Sequence, residues 1–373
     1  MNKATAMTVF FCGVLTHAPL RDVVLGQAVA VWPGSAEGVR EGWAEGAFQV
    51  SLVPADPDAR VAGLCAVDLS PEPAARLQFY AEATGLVSQT VEVTDGAELV
   101  PVQCLAAPVS EACPPWDAAA WLGRDAALAV ATAAEIMATC RTLPAGQVRA
   151  RLGALQVRAS SRLRAMAGAG SDSPDCPAAR VQVSALRHPY ANFFAVEEYD
   201  LQFQRFDGQL SDTITRAAFV SGDAVTVLPY DPVRDRVLLV EQFRMGPYAR
   251  GDTSPWQLEA IAGRIDPGES PEDCARREAM EEAGLTLATL HPVASYYPSP
   301  GAKTEYLYSF VASADLPDGV AGVFGVADES EDIRGHLVAF STLIEMVASG
   351  AVSNAPLILT ALWLQREKGR FSL

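Results

Sequence analysis

The sequence contains no apolar run long enough to span a membrane, which argues against a transmembrane segment. It is poor in basic residues, with 28 Lys and Arg against 45 Asp and Glu and a net charge of −17. That balance argues against sequence-independent nucleic-acid binding, which needs a basic surface, and against docking on anionic lipid. An acidic enzyme can still take a phosphate substrate, because metal ions and local arginines reverse the field inside a site. There is no CxxC pair among the seven cysteines, which are odd in number and widely spaced. Buried thiols in a reducing cytoplasm fit this usage better than a disulfide framework. The four histidines, His17, His188, His291 and His336, lack ligand spacing and read as ordinary polar residues. Lys3 followed by the apolar Met7–Leu15 resembles a short signal peptide, but Pro19 directly after Thr16-His17-Ala18 is poor for cleavage. A buried first strand is the better reading.

At 373 residues the chain is too long for one typical core, and no internal repeat is present. The stretch Ala165–Arg180 is rich in Gly, Ala, Ser and Pro and reads as a linker, giving domains over 1–168 and 181–373 joined by 169–180. In the first domain, Thr8–Leu15 and Val61–Leu69 read as strands, Pro71–Glu82 as a helix, Val87–Val93 and Leu99–Leu105 as strands, and Trp116–Ala165 as two or more helices. In the second, Ala224–Tyr230 and Val237–Gln242 read as strands joined by a proline-containing turn. Tyr306–Val311 and His336–Phe340 are further strands, Ser341 is expected to cap a helix, and a final amphipathic helix runs from Asn354 or Ala355 to Glu367. The fold class is α/β (α+β) in both domains, with a mixed sheet and helices.

The densest signal is residues 263–285, GRIDPGESPEDCARREAMEEAGL. Its fixed positions are Gly263, Glu269, Arg277, Glu278, Glu281, Glu282 and Gly284, with apolar Ala279 and Leu285. With residue types at about 7 % each, such a coincidence has a chance on the order of 10⁻⁸ per starting point. Ser270 is a good N-cap, Pro271 suits the first helical position, and Gly284 supplies a left-handed residue at the end, so the spacing predicts a helix over Pro271–Ala283. Glu278, Glu281 and Glu282 then share one face, while on the other side Ala275, Ala279 and Ala283 form a narrow stripe that lets the helix lie close on a sheet. Clustered carboxylates repel one another unless a cation sits between them, and hard oxygen ligands suit Mg²⁺ or Mn²⁺. The competing reading is a solvated acidic helix face.

This segment matches the box of the Nudix hydrolases, which cleave nucleoside diphosphates linked to another group. The resemblance covers nearly all of Val181–Arg370 and is closest to the ADP-ribose pyrophosphatases. Phe206–Ser211 resembles their early hairpin, Val240–Arg244 the strand whose arginine holds substrate, and Pro255–Gly263 their approach to the box. Pro300 stands where a proline beyond the box marks ADP-ribose specificity, although Ala302-Lys303 departs from the Gly-Thr frequent in close relatives. The resemblance implies metal ligation by Glu278, Glu282 and the backbone carbonyl of Ala262, with Glu281 adding a ligand or holding a metal-bound water. It implies that Arg277 pairs with Glu269, that Glu329 in the mobile-loop sequence 328–333 is the general base, and that Arg244, Glu259, Pro300 and Glu305 contact substrate. For Arg244 and Glu329 the plainer readings are a strand-end salt bridge and a solvated loop charge. Trp256, Tyr296 and Tyr297 could stack on adenine or simply pack. The implied partner is ADP-ribose, the implied assembly a homodimer, and the implied location cytoplasmic. Another nucleotide sugar, or a dinucleotide, is the alternative substrate. An ADP-ribose-sensing module without catalysis is the alternative of a different class.

The first domain remotely resembles the gamma-glutamylcyclotransferase-like fold, a mixed barrel or sheet with helices. The resemblance rests on Cys12-Gly13-Val14-Leu15, on Pro19-Leu20-Arg21 leading to Gly26, and on Arg76-Leu77-Gln78-Phe79-Tyr80. Ala81 stands where that family carries its acid/base Glu, and Glu82 comes one position late, about 100° around the helix. The domain is therefore expected to lack that activity. The two-domain combination resembles tellurite-resistance-associated Nudix proteins.

Overall fold

The computed structural model describes residues 7–44, 49–94, 98–108, 113–168, 180–325 and 331–371. The chain divides into two compact units, Met1–Ala178 and Ala179–Leu373. Among the described residues no helix is long and apolar enough to cross a membrane.

The first unit runs β1 (Met7–Phe11), α1 (Ala18–Leu25), β2 (Trp32–Glu37), β3 (Val39–Ala44), β4 (Gln49–Pro54), β5 (Arg60–Leu69), α2 (Pro71–Thr84), β6 (Val87–Thr94), β7 (Leu99–Ala106), α3 (Ala118–Arg124), α4 (Ala126–Ala138), α5 (Ala145–Arg149) and α6 (Leu152–Ala167). A closed barrel forms in the order β1-β5-β2-β6-β7, and the parallel pair β7–β1 completes it. Closure leaves no unpaired sheet edge in the barrel. β3 and β4 pair as a separate ribbon.

β1 is apolar without alternation because both of its faces are buried. Val9 and Phe11 pack with Leu20, Leu77 and Ile136 of the helices, while Phe10 packs with Val61, Val93 and Val102. The expected strand over Thr8–Leu15 is shorter than its apolar run. Gly13 adopts φ +54, a Cβ there would lie 2.6 Å from Val50 Cβ, and Gly13–Thr16 forms a 3₁₀ turn. The linker expected from Ala165 also begins later, because the helix-favouring alanines carry α6 through Ala167.

The second unit runs β8 (Val181–Ala191), β9 (Ala195–Phe203), β10 (Ile214–Val220), β11 (Ala224–Asp231), β12 (Arg236–Phe243), α7 (Met245–Arg250), β13 (Trp256–Glu259), β14 (Ile261–Arg264), α8 (Pro271–Ala283), β15 (Leu290–Tyr296), β16 (Leu307–Ser313), β17 (Val323–Phe324), β18 (Ile333–Ala339), α9 (Phe340–Ser349) and α10 (Ala355–Glu367). β8, β9 and β10 form a three-stranded antiparallel sheet. The main sheet runs β15-β16-β11-β12-β18-β17, with β14 on β11 and β13 on β12. It is mixed, since β11 and β16 are parallel and the other pairs antiparallel. Side-chain alternation sends Val225, Val227, Leu238 and Val240 toward α8, and Leu228, Tyr230, Val237 and Leu239 toward α9 and α10. The result is an α/β/α sandwich.

Ser341 does not cap α9. The helix starts at Phe340, with no side-chain cap, and the backbone N–H of Phe340 donates to Asp235 O at 3.0 Å. The buried Phe340 ring against Tyr230, 5.8 Å between centroids, fixes the start.

Gly13→Ala introduces a left-handed alanine and a clash with Val50, and is expected to destabilise the chain by about 2 kcal/mol or more. A urea titration following the first unit checks this, and an unchanged midpoint contradicts it.

Candidate active site

The ends of α8 fix the position of its carboxylates. Ser270 Oγ accepts from Asp273 N at 3.1 Å, Pro271 opens the helix, and Gly284 closes it at φ +61. Ala275, Ala279 and Ala283 are almost wholly buried against the sheet, so the helix backbone approaches β14 closely. Contrary to the expectation from the sequence, the alanines do not lie opposite all three glutamates: at about 100° per residue Glu278 and Glu282 border the stripe, and the close approach carries them inward with it. They are 8 % and 1 % exposed, whereas Glu281 is only partly covered.

The opposing wall is the backbone of β14. Ala262 N donates to Glu282 Oε2 at 3.1 Å. A Cβ on Gly263 would lie 1.8 Å from the Glu278 carboxylate, so glycine is the residue that leaves room for it. Arg277 joins the pieces. Its Nε and Nη2 donate to the two Glu269 oxygens at 3.0 and 3.1 Å, and its Nη1 donates to Glu278 Oε1 at 2.7 Å and Glu281 Oε2 at 2.9 Å. Nη2 also donates to the Arg264 carbonyl at 3.0 Å, tying α8 to the end of β14.

The proton affinities divide accordingly. Burial opposes ionisation of Glu269, but the Arg277 fork and the Asp266 N–H outweigh it and hold this carboxyl below its ordinary range. Burial pushes Glu278 up to about 7; Arg277 opposes the shift, and the neighbouring Glu281 and Glu331 add to it. Burial pushes Glu282 up to about 8; the Ala262 N–H opposes it, and Glu278 and Glu331 add to it. Two deeply placed carboxylates therefore lack enough positive charge nearby, which is the condition a hard cation relieves. Among the described residues no three Asp, Glu, His or Cys side chains form a ready-made cation cluster. Arg277 instead bridges Glu278 and Glu281. The donor set of carboxylate oxygens beside backbone still fits a divalent cation with oxygen preference.

Arg244, just past the end of β12, reaches back along β13 to Glu259, which pairs with Val240 in the antiparallel register. Arg244 Nε and Nη2 donate to Glu259 Oε2 at 2.9 and 2.6 Å. This ion pair answers the plainer reading of Arg244, yet the guanidinium also senses Glu282 and Glu331 electrostatically. Asn354, which the sequence reading did not single out, donates to Glu259 Oε1 at 2.9 Å and caps α10 through Leu357 N at 2.9 Å. Its position as an N-cap was visible in the sequence; its reach to Glu259 was not.

Pro300 and Glu305 lie on the β15–β16 connection. The backbone of Ala302 and Thr304 bonds to Phe219, and Glu305 pairs with Lys303 at 3.6 Å. Trp256 packs on Phe243 at 5.7 Å and is half exposed. Tyr297 packs on Tyr306 at 4.8 Å, and Tyr296 hydroxyl meets Ser309 Oγ at 3.2 Å. Arg264 stacks on Phe193 at 4.8 Å, a contact no sequence pattern indicated. Glu329 lies outside the described residues.

Residues 220–356 match the family described as NUDIX domain. The chain is 42 % identical over 185 residues to the ADP-ribose pyrophosphatase of Escherichia coli (strain K12), covering 50 % of this chain and 88 % of that protein. It is 36 % identical over 178 residues to the ADP-ribose pyrophosphatase of Haemophilus influenzae, covering 47 % and 82 %. It is also 33 % identical over 174 residues to the GDP-mannose pyrophosphatase of Yersinia pestis, covering 47 % and 86 %.

The raised proton affinities predict how stability depends on pH without metal. Both carboxyls sit well above an ordinary glutamate, about 4.3. Their contribution is therefore full below that value and is lost as pH rises through about 7 and about 8. A divalent cation should counter the loss. The gap between melting temperatures in Mg²⁺ and in EDTA is expected to widen from about pH 5 to about pH 8.5. A gap independent of pH contradicts the assignment.

Proposed function

The chain belongs to the Nudix family, and we propose that it hydrolyses the pyrophosphate bond of ADP-ribose to AMP and ribose 5-phosphate, with Mg²⁺ as cofactor and Mn²⁺ as a substitute. The observation that carries this reading is the pair of buried, charge-deficient carboxylates, Glu278 and Glu282, held against the backbone of Ala262 and Gly263. Similarity to ADP-ribose pyrophosphatases over 185 residues extends well beyond the helix that carries them.

A divalent cation in the site supplies charge neutralisation for the pyrophosphate and lowers the pKa of a bound water. Glu278, Glu282 and the Ala262 carbonyl would hold such a cation, with Glu281 as a further ligand or a hydrogen-bond partner to its hydration. Arg277 positions Glu278 and Glu281 and fixes the loop through Glu269. Arg244, with Glu259 behind it, orients the substrate, and Pro300 and Glu305 shape the far side of its pocket. Glu329 accepts the proton of the attacking water. Glu331, two positions on, acts electrostatically on Glu278, Glu282 and Arg244.

The same reading has the chain act as a cytoplasmic homodimer. Val181, Val183, Tyr190, Phe203 and Leu210 in the β8–β10 region are exposed apolar side chains, which a second copy would cover. The thiols of Cys12, Cys65, Cys104, Cys113 and Cys274 are buried and suit a reducing compartment. We assign the gamma-glutamylcyclotransferase-like domain to 1–168, the linker to 169–180 and the hydrolase to 181–373. The first is assigned no cyclotransferase activity, since Ala81 is buried and Glu82 faces solvent, accepting from Gln78 at 2.9 Å. The GDP-mannose pyrophosphatase relative keeps a nucleotide sugar as the second reading.

Hydrolysis of ADP-ribose by the full chain with Mg²⁺ should yield AMP and ribose 5-phosphate and exceed GDP-mannose turnover. The reverse preference selects the second reading, and binding without hydrolysis of either selects the sensing module. Glu282→Gln should lower turnover by roughly 100-fold, about 3 kcal/mol of transition-state stabilisation, with the fold intact. Turnover near that of the unaltered chain would remove Glu282 from metal binding.

Glu329→Gln should depress turnover while ADP-ribose affinity stays within a few fold, because a general base acts mainly in the transition state. Glu331→Gln should do less. Measuring turnover and direct binding for both variants identifies the base, and a crippled Glu331→Gln beside an active Glu329→Gln reverses the assignment.

A further inference from the structure

The first unit contains a pocket that the chemistry above does not use. It opens to solvent on one side and is walled by residues of the β3–β4 ribbon and of α2, α3, α4 and α6. The indoles of Trp43 and Trp121 form part of its wall beside Tyr80, and Gln49, Thr132 and Gln156 supply polar groups. Gln49 Nε2 donates to the Tyr80 hydroxyl at 3.2 Å, which fixes that side of the wall.

Thr132 is the informative residue. It is 8 % exposed, and its hydroxyl has no hydrogen-bond partner. A buried helical threonine ordinarily bonds a carbonyl one turn back. Thr84 does so, with Oγ1 donating to Tyr80 O at 2.7 Å, and Thr139 bonds Ile136 O at 2.7 Å. Thr132 lies on α4, the helix that Thr139 caps, and forgoes the bond while lining the pocket. A polar group kept buried and unsatisfied calls for a partner from outside the chain. Gln156, 9 % exposed, lines the same space from α6.

Charge narrows the partner. No Lys, Arg or His is among the lining residues, so an anion would enter without a counter-charge. The one lining carboxylate, Asp125, is already closed by Arg124, with Nε to Oδ1 at 3.0 Å and Nη2 to Oδ2 at 2.9 Å, so a cation finds little attraction there. Indole faces favour a flat partner, and hydroxyl and amide groups favour one with donors and acceptors on its edge. We propose that this pocket binds a small, uncharged, planar heteroaromatic molecule, bonded at its edge by Thr132, Gln49 and Gln156 and packed against Trp43 and Trp121.

The test titrates the full chain by calorimetry with adenine, uracil and nicotinamide, using benzoate and benzamidine as a flat anion and a flat cation. At least one neutral probe should saturate, and more tightly than either charged one. Thr132→Val should weaken that probe by about tenfold, the scale of one lost hydrogen bond. It should also raise the melting temperature of the free chain, because it removes a hydroxyl that has no partner, and it should leave ADP-ribose turnover unchanged. Gln156→Leu gives the same affinity comparison if Thr132→Val does not fold. Saturation by none of the neutral probes overturns the proposal, as does tighter binding of a charged probe. Neutral-probe affinity within twofold of the unaltered chain in the variant that folds also overturns it, since the probe then sits elsewhere.

Discussion

Packing α8 close to β14 sets most of what the second unit can do. The alanine stripe lets the helix backbone approach the sheet, and residues sharing that face are carried inward whether apolar or not. Glu278 and Glu282 are therefore buried by geometry rather than by affinity for the core. Their desolvation appears as raised proton affinity; Arg277, also committed to Glu269 and Arg264, offsets it only in part at Glu278, and the Ala262 N–H and Arg244 only in part at Glu282. Glycine at 263 follows from the same approach, since any Cβ there would occupy the place of the Glu278 carboxylate.

This part of the molecule was legible in the sequence because its determinants are local. Ser270, Pro271 and Gly284 bound the helix at the residues expected, but the glutamates expected opposite the alanine stripe are in part buried beside it: Glu278 and Glu282 border the alanines, and only Glu281 turns away. The Arg277–Glu269 pair spans a single loop. Periodicity also found the central strands β11 and β12, whose buried runs are long and bounded by turn residues.

What the sequence concealed depends on distant contacts. β2 reads Trp-Pro-Gly-Ser-Ala-Glu, a poor strand by propensity, and it exists because β5 and β6 flank it in the barrel. α9 begins one residue before its apparent cap because Phe340 is held from across the sheet by Asp235 and Tyr230. Asn354 reaches Glu259 across 95 positions of sequence. In each case local chemistry permits several outcomes, and a partner from elsewhere in the fold selects one.

Depth of burial alone does not distinguish a structural acid from one awaiting a ligand. Asp231 and Glu282 are each 1 % exposed. Asp231 accepts from the backbone N–H groups of Val233, Arg234 and Leu316 and from the Arg234 guanidinium. Burial opposes its ionisation, but these donors prevail and its pKa is lowered. Glu282 receives the Ala262 N–H at 3.1 Å, stands beside Glu278, and is pushed up to about 8. The difference lies in the supply of donors. Asp231 is saturated, so a cation could add little to it, whereas Glu282 retains acceptor capacity in a place where water is scarce. Thr132 presents the converse case in the first unit, a buried hydroxyl whose donor has no acceptor. In both units the groups left incomplete by the fold, more than those merely buried, mark where a ligand would improve the structure.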